Sequence, residues 1–288
     1  MRRSRLYILK PYLFLLPILI FAAGFVYYPF ARTFLHSFSV VNRRGEIIAF
    51  AGLDNFRQLL GNATFHIALI NTLTLTLIVV PLALCISLAL AMLAAKKRRL
   101  SPVYETMFTI PMAVSMPAAA MIFQILLNPS IGIVNHLLGI SVGWFTDPAT
   151  ALLGIALVCL WIGVPFDFLL FLSAVRAVPE FLIESAMLEG AGYFSRFWRI
   201  QLPLITPTVL FVICTNAVLA MMTAAPVMII TGGGPARSTT TLIYLMYVSG
   251  YESSNYSLAA AISIVTFMLT FALILVAMMF ERGRVHYN

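Results

Sequence analysis

Charge is scarce in this 288-residue chain: 18 Lys and Arg with 10 Asp and Glu leave only 10% of residues charged. A soluble domain carries about 25%, so these side chains cannot cover a water-facing surface of the required size. Cysteine is scarce as well. Cys85, Cys159 and Cys214 are odd in number, lack a CxxC spacing and each lie in a long apolar run. That excludes a disulfide framework and a thiolate metal site, and reads them as small apolar packing residues. His36, His66, His136 and His286 have no mutual ligand spacing, so no metal is expected, and neither H-E-x-x-H nor G-x-S-x-G occurs. Period-2 alternation, internal repeats and low-complexity segments are absent too, which argues against a membrane β-barrel. An ordinary cytosolic enzyme, a secreted disulfide scaffold and a disordered chain are excluded together.

What the chain has in excess is apolar residues, 61% of the total, with a mean hydropathy of +0.99. A helix needs about 20 of them to cross about 30 Å of hydrocarbon. Six stretches qualify: 12–34, 67–95, 105–127, 149–174, 207–231 and 257–280. The second is long enough to include a turn outside the membrane. Pro111 and Pro117 interrupt the third, Pro165 the fourth and Pro226 the fifth, which membrane helices tolerate. The expected fold class is an all-α membrane protein with six transmembrane helices.

The basic residues set the expected orientation. With the N-terminus cytoplasmic, Arg2, Arg3, Arg5, Lys10, Lys96, Lys97, Arg98, Arg99, Arg176, Arg196, Arg199, Arg282 and Arg284 lie inside. Only Arg32, Arg43, Arg44, Arg57 and Arg237 lie outside. This asymmetry favours both termini inside, so the net charge of +8 reports topology rather than nucleic-acid binding. The first apolar run exceeds a signal-peptide core and lacks an A-x-A site, so it is expected to be an uncleaved span. The expected organisation is an N-terminal span and first outer loop over 1–66, a membrane-spanning domain over 67–280, and a cytoplasmic tail over 281–288. The first outer loop, with Asn42-Arg43-Arg44-Gly45, reads as ordered, and the second, 128–148, is rich in turn formers.

Residues 178–207 form a cytoplasmic stretch too apolar for a simple connection, yet they hold Glu180, Glu184, Glu189, Arg196 and Arg199. Pro179 is placed to open a helix with Glu180 and Glu184 on one face. Gly190 and Gly192 permit a sharp change of direction. Phe194, Phe197 and Trp198 suit a second short helix, and Pro203 and Pro207 mark re-entry to the membrane. Such a helix–turn–helix either docks in another protein's groove or rests on lipid headgroups; composition leaves both open.

This stretch resembles the EAA loop of ABC importer permeases, E-A-A-x3-G-x9-I-x-L-P, carried here by Glu184-Ser185-Ala186, Gly190, Ile200 and Leu202-Pro203. Ser185 stands where that family usually has Ala, and Glu189 where an Asp commonly precedes Gly-Ala. Leu53-Asp54-Asn55-Phe56 is similar to the G-L-x-N-F of the first outer loop in carbohydrate-importer permeases. Asn128-Pro129 with Gly132-Ile133-Val134-Asn135, and Gly233-Gly234-Pro235 with Ser238-Thr239-Thr240-Thr241-Leu242, resemble two further loops. The matches run in order over nearly the whole chain and are closest to the MalF-like branch, which serves glycerol-3-phosphate and oligosaccharide importers.

The resemblance implies a type I ABC importer transmembrane domain in a bacterial or archaeal cytoplasmic membrane. It implies a second, similar permease, two ABC ATPase subunits and an extracytoplasmic solute-binding protein as partners. Glu184, Ser185, Ala186, Glu189, Gly190 and Ala191 would then form the ATPase-coupling contact. No cofactor would reside in this chain, since ATP and Mg would be bound by the ATPases, and the chain itself would be non-catalytic.

Asp167 is the one acidic side chain well inside a span, and an intramembrane ionisable group is by default a functional candidate. It either lines the path or lies near the cytoplasmic end, reaching water or a cation on the partner permease. Asn216 and Thr223 are polar groups at membrane depth, with Asn71, Gln124 and Thr72 beside them in type. Sugars are held by amides, carboxylates and an aromatic platform, so Trp161, Asp167, Asn216 and Thr223 are the substrate-path candidates, with Phe166 and Tyr244 as further aromatics. Gly232-Gly233-Gly234-Pro235 lacks the GK[ST] ending of a nucleotide loop. No basic residue lies deep in a span, which favours a neutral sugar or oligosaccharide over the alternative, glycerol-3-phosphate or a related phosphodiester. An intramembrane enzyme would need clustered carboxylates or a Ser/His dyad, and an ion-coupled transporter would need inverted repeats and more internal charge.

Overall fold

The computed structural model describes residues 5–282, with side chains from 11 to 279. Arg2, Arg3, Arg284 and His286, and with them most of the expected tail 281–288, lie outside the described residues, as do the side chains of Arg5, Lys10 and Arg282. In chain order the elements are α1 (Arg5–Ala22), α2 (Tyr28–Ser37), β1 (Ser39–Val41), β2 (Ile47–Phe50), α3 (Asp54–Leu60), α4 (Ala63–Ala94), α5 (Ser101–Thr109) and α6 (Met116–Leu126). There follow α7 (Ile133–Leu138), α8 (Ala151–Ala177), α9 (Glu180–Leu188), α10 (Tyr193–Arg196), α11 (Leu202–Met221), α12 (Leu242–Tyr247) and α13 (Tyr256–Arg282).

One compact unit comprises the chain up to Asn62 together with Met246–Val265. Here α1 passes through a single wide turn, Ala23–Tyr27, into α2, and Pro11–Ser37 is long and apolar enough to span a membrane. Strands β1 and β2 pair antiparallel with an irregularity between Val40 and Val41. Asn42 shapes their turn, its Oδ1 accepting from the backbone N–H groups of Arg44 and Glu46 at 2.9 Å each. The Asn of the G-L-x-N-F resemblance has a concrete task. Buried Asn55 donates through Nδ2 to the carbonyls of Ser37 and Ser39, 3.0 Å each, tying α3 to the exit of α2. The expectation of an ordered first loop is met.

The second unit comprises Ala63–Leu245 and the chain from Thr266. Its centre is α4, a single helix of 32 residues that continues unbroken past Pro81 and packs against α8 and α11. Leu75, Val79 and Ala83 meet Ile155, Ala156, Cys159 and Leu160 of α8, with Ala220 of α11. A second cluster joins Ala91 and Ala94 to Phe168, Phe171, Val175, Ile205 and Val212. The alanines matter because lipid provides no hydrophobic force between helices; association there depends on close van der Waals approach, which small residues permit. Cys159 is buried in this packing as expected, whereas Cys85 is exposed.

Among the described residues, five helices have the length and composition of membrane spans, or up to six if one bent pair counts as a span. The interruption expected in the stretch 105–127 is a sharp break: Ser101–Ala113 and Met116–Leu126 meet at 102°. Pro111 and Pro117 flank the break, where missing amide donors end one helix and start the next. The fifth stretch needs correction, since the apolar helix is Tyr193–Met221 rather than 207–231. Pro226 therefore interrupts no span; it opens a separate turn, Val227–Thr231. At the start of that apolar helix α10 runs through a wide turn, Phe197–Gln201, directly into α11, so the expected second short helix is the first turn of a long one.

Candidate functional site

One exposed apolar feature of the second unit is α9. It has no buried residue: Leu188 is 91% exposed, Phe181 65% and Met187 51%. Pro179 precedes the first helical residue, as its fixed φ favours, and Glu180 places negative charge in the first turn, opposite the positive end of the helix dipole. The far end is closed by a double hydrogen bond. Gly190 N–H donates to Met187 O at 3.0 Å and Ala191 N–H to Ala186 O at 2.9 Å, the Schellman arrangement. It requires a left-handed residue, and Gly190 has φ +81°. Arg196 then donates to Ala191 O at 2.8 Å, folding the next turn back. Glu184, Ser185 and Glu189 are exposed along this helix, with Ala186 and Ala191 half-buried. The spacing from Glu184 to Gly190 is thus set by the last turns of a short helix and its terminating glycine.

An apolar groove of about 640 Å³ runs between α4 and the start of the α10–α11 helix, lined among others by Cys85, Met92, Phe194 and Trp198. At the root of α9, Arg176 in the last turn of α8 reaches two other segments. It donates to Ala94 O at 3.1 Å and Ala95 O at 3.2 Å, and forks onto both carboxylate oxygens of Glu105 in α5. This arrangement was not legible in the sequence, because the partners lie 71 to 82 residues away.

Of the substrate-path candidates, Asp167 and Asn216 come together. Both are buried, and Asn216 Nδ2 donates to Asp167 Oδ2 at 2.7 Å and to Val212 O at 2.9 Å. Asp167 therefore pairs within the chain, across α8 and α11. Asn216 and Thr223 line one uncharged cavity of about 250 Å³ with Met116, Gly163 and Met222. Thr223 also serves the packing: its hydroxyl donates to Leu219 O at 3.0 Å, and its carbonyl accepts from Thr241. Trp161 stands apart from this group. It lines a different, apolar cavity with Phe108 and Pro111 and meets Phe123 edge-on at 5.6 Å. Tyr244 is half-buried against Gly233, and Phe166 is exposed. Asn71 belongs to the loop instead, donating to the carbonyls of Arg237 at 2.9 Å and Thr240 at 3.0 Å. Among the described residues no group of three or more His, Cys, Asp or Glu is placed to hold a metal.

Long apolar helices, joined by polar groups at a few interhelical contacts, define a multi-pass membrane protein. Residues 87–284 match the family described as "Binding-protein-dependent transport system inner membrane component". The chain is 32% identical over 282 residues to the sn-glycerol-3-phosphate transport system permease protein UgpA of Pectobacterium atrosepticum, covering 96% of each. It is 33% identical over 283 residues to the protein of that name from Yersinia enterocolitica, again 96% of each. Among solved structures it is similar to a bacterial ABC transporter involved in the import of the acidic polysaccharide alginate. The TM-score there is 0.83 at 23% identity, covering 97% of this chain and 99% of the other. A structure of the alginate ABC transporter with an alginate pentasaccharide-bound periplasmic protein superposes with a TM-score of 0.80, also at 23% identity, over 93% and 92%. The chain belongs to this family, as a multi-pass inner-membrane permease subunit of a binding-protein-dependent ABC importer with the type I fold.

Proposed function

We propose that α9 is the helix through which this permease takes its energy from an ATPase. The observation that carries this reading is that a helix with Phe181, Met187 and Leu188 on its surface has no fully buried residue, yet has a fully built terminus at Gly190. A helix so exposed and so well defined suits a preformed groove, and preorganisation lowers the cost of docking. Glu184, Ser185, Ala186, Glu189, Gly190 and Ala191 form the contact. Both termini are cytoplasmic on this reading, which the distribution of Lys and Arg supports. The partners are a second permease, two ABC ATPases that bind ATP and Mg, and an extracytoplasmic solute-binding protein. The chain performs no chemistry of its own.

The substrate class we favour is a neutral sugar or oligosaccharide. The cavity beside Asn216 and Thr223 is uncharged, and the carboxylate of Asp167 adjoins its amide, an environment that repels a phosphate and accepts hydroxyls. Asp167 orients Asn216, which with Thr223 offers hydrogen bonds to a passing solute; Trp161, about two helical turns before Asp167 in α8, supplies an aromatic wall on a separate cavity. The printed names of the relatives favour sn-glycerol-3-phosphate instead. Uptake by the complete importer in proteoliposomes decides: accumulation of labelled maltotriose supports the first reading, and accumulation of sn-glycerol-3-phosphate alone supports the second. Failure of the chain to co-purify with an ATPase and a second permease would remove both.

A further inference from the structure

Arg176 is the junction between the proposed coupling helix and the rest of the bundle. It stands in the last turn of α8, with only Val178 and Pro179 between that helix and α9. Its guanidinium takes up the carbonyl of Ala94, which ends α4, and that of Ala95, which follows it. The same group forks onto Glu105 of α5, both side chains about a quarter exposed. A planar fork holds such a geometry with little freedom, unlike the point charge of Lys. Below it, Val175 and Val178 are buried with Ala91 and Ala94, and Ile183 of α9 packs against the same cluster. The ends of α4 and α8 and the start of α9 are therefore tied at one point, and α5 is tied there too. Element α5 is also the near arm of the pair that bends by 102° at Pro111 and Pro117, and its Met107 and Phe108 wall the apolar cavity beside Trp161.

We propose that Arg176 is a positioning residue for transport: its fork onto Glu105 and the carbonyls at the end of α4 makes α9 and α5 move together, so that a displacement of α9 reaches the bent pair. The proposal rests on the reading of α9 as the ATPase contact. Without the fork, α9 still docks and ATP is still hydrolysed, but the displacement is absorbed at the α8–α9 junction.

The test uses the complete importer in proteoliposomes with its binding protein, and measures uptake and ATP hydrolysis together. The probe is labelled maltotriose or sn-glycerol-3-phosphate, whichever the unaltered importer accumulates. R176M is expected to lower uptake at least tenfold while binding-protein-stimulated ATP hydrolysis stays within twofold, so that ATP consumed per solute rises about tenfold. R176K keeps the charge but not the fork, and E105Q keeps an acceptor without the charge; each is expected to raise that ratio severalfold, and they decide the matter where R176M does not assemble. Uptake and hydrolysis that fall in proportion, or that stay unchanged in all three variants, would overturn the proposal, because a merely structural role predicts one or the other. A cross-link from S185C to the ATPase serves as the separate control. Its absence in the importer with Arg176 intact defeats the reading of α9 itself; its presence with an unchanged ratio defeats only the role of Arg176.

Discussion

Replacing Asn216 by Leu separates the two roles that the Asp167–Asn216 pair could have. Asp167 is 2% exposed and Asn216 4%, and the pair is joined by one 2.7 Å hydrogen bond to a carboxylate between α8 and α11. A hydrogen bond to a charged group contributes about 1.5–3 kcal/mol, and stranding a buried charge costs about 3–5 kcal/mol. Water in the adjoining cavity and rearrangement reduce that, so N216L is expected to destabilise the subunit by about 2–4 kcal/mol. D167L leaves Asn216 with its second acceptor, Val212 O, and costs less, about 1–2 kcal/mol. The double variant D167L/N216L removes both polar groups at once, and its stability is expected to approach that of the unaltered chain, giving a coupling of about 2 kcal/mol or more. Unfolding of the purified subunit in mixed micelles measures all four corners of the cycle, and uptake is measured on the same variants. Strictly additive losses would refute the pairing argument. Full uptake by a stable D167L/N216L importer would refute any contact of either group with the solute.

Three further outcomes follow from individual residues. At Gly190 an added Cβ meets open space, so G190V carries only the strain of a left-handed β-branched residue, about 1–2 kcal/mol; it is expected to insert and fold but to lose uptake, and normal uptake would contradict the docking role. At Gly233, also left-handed, an added Cβ would lie 2.6 Å from Tyr244 Cε1 and 2.7 Å from Thr240 Oγ1. G233A is therefore expected to cost about 2–4 kcal/mol and to expose the 232–241 loop to protease, whereas wild-type resistance would contradict the packing. N55A removes two hydrogen bonds from a buried site and is expected to cost about 1–3 kcal/mol, seen as faster hydrogen exchange at Ser37–Val41; unchanged exchange would argue against its tie to the hairpin.

The long apolar runs were legible because a membrane span has a length requirement that composition alone can meet, and α4, α8 and α13 fall close to where that count puts them. The terminus of α9 was legible for a related reason: Gly190 is a local backbone requirement, written in one residue. What could not be read was direction and long-range pairing. Pro111 and Pro117 announce a break but carry no angle, so the 102° bend was invisible. Arg196 and Arg199 made 193–206 read as lying outside the membrane, although a helix continues past a membrane surface without changing its hydrogen bonding, and so α11 was placed too late. Asp167 and Asn216 are 49 residues apart and stand in different helices. Their pairing depends on how α8 and α11 cross, which no spacing within either helix records.

The central claim is that α9 is the surface an ATPase grips, and cross-linking of the purified importer tests it most directly. Single cysteines are introduced as S185C and L188C on α9 and, for contrast, L137C on α7, which is also open to solvent in the subunit, at 74% exposure for Leu137. A short bifunctional reagent is expected to join the S185C and L188C variants to the ATPase and to leave the L137C variant unjoined. Equal labelling of all three variants, or no ATPase adduct from α9 in a transport-active complex, would contradict the account.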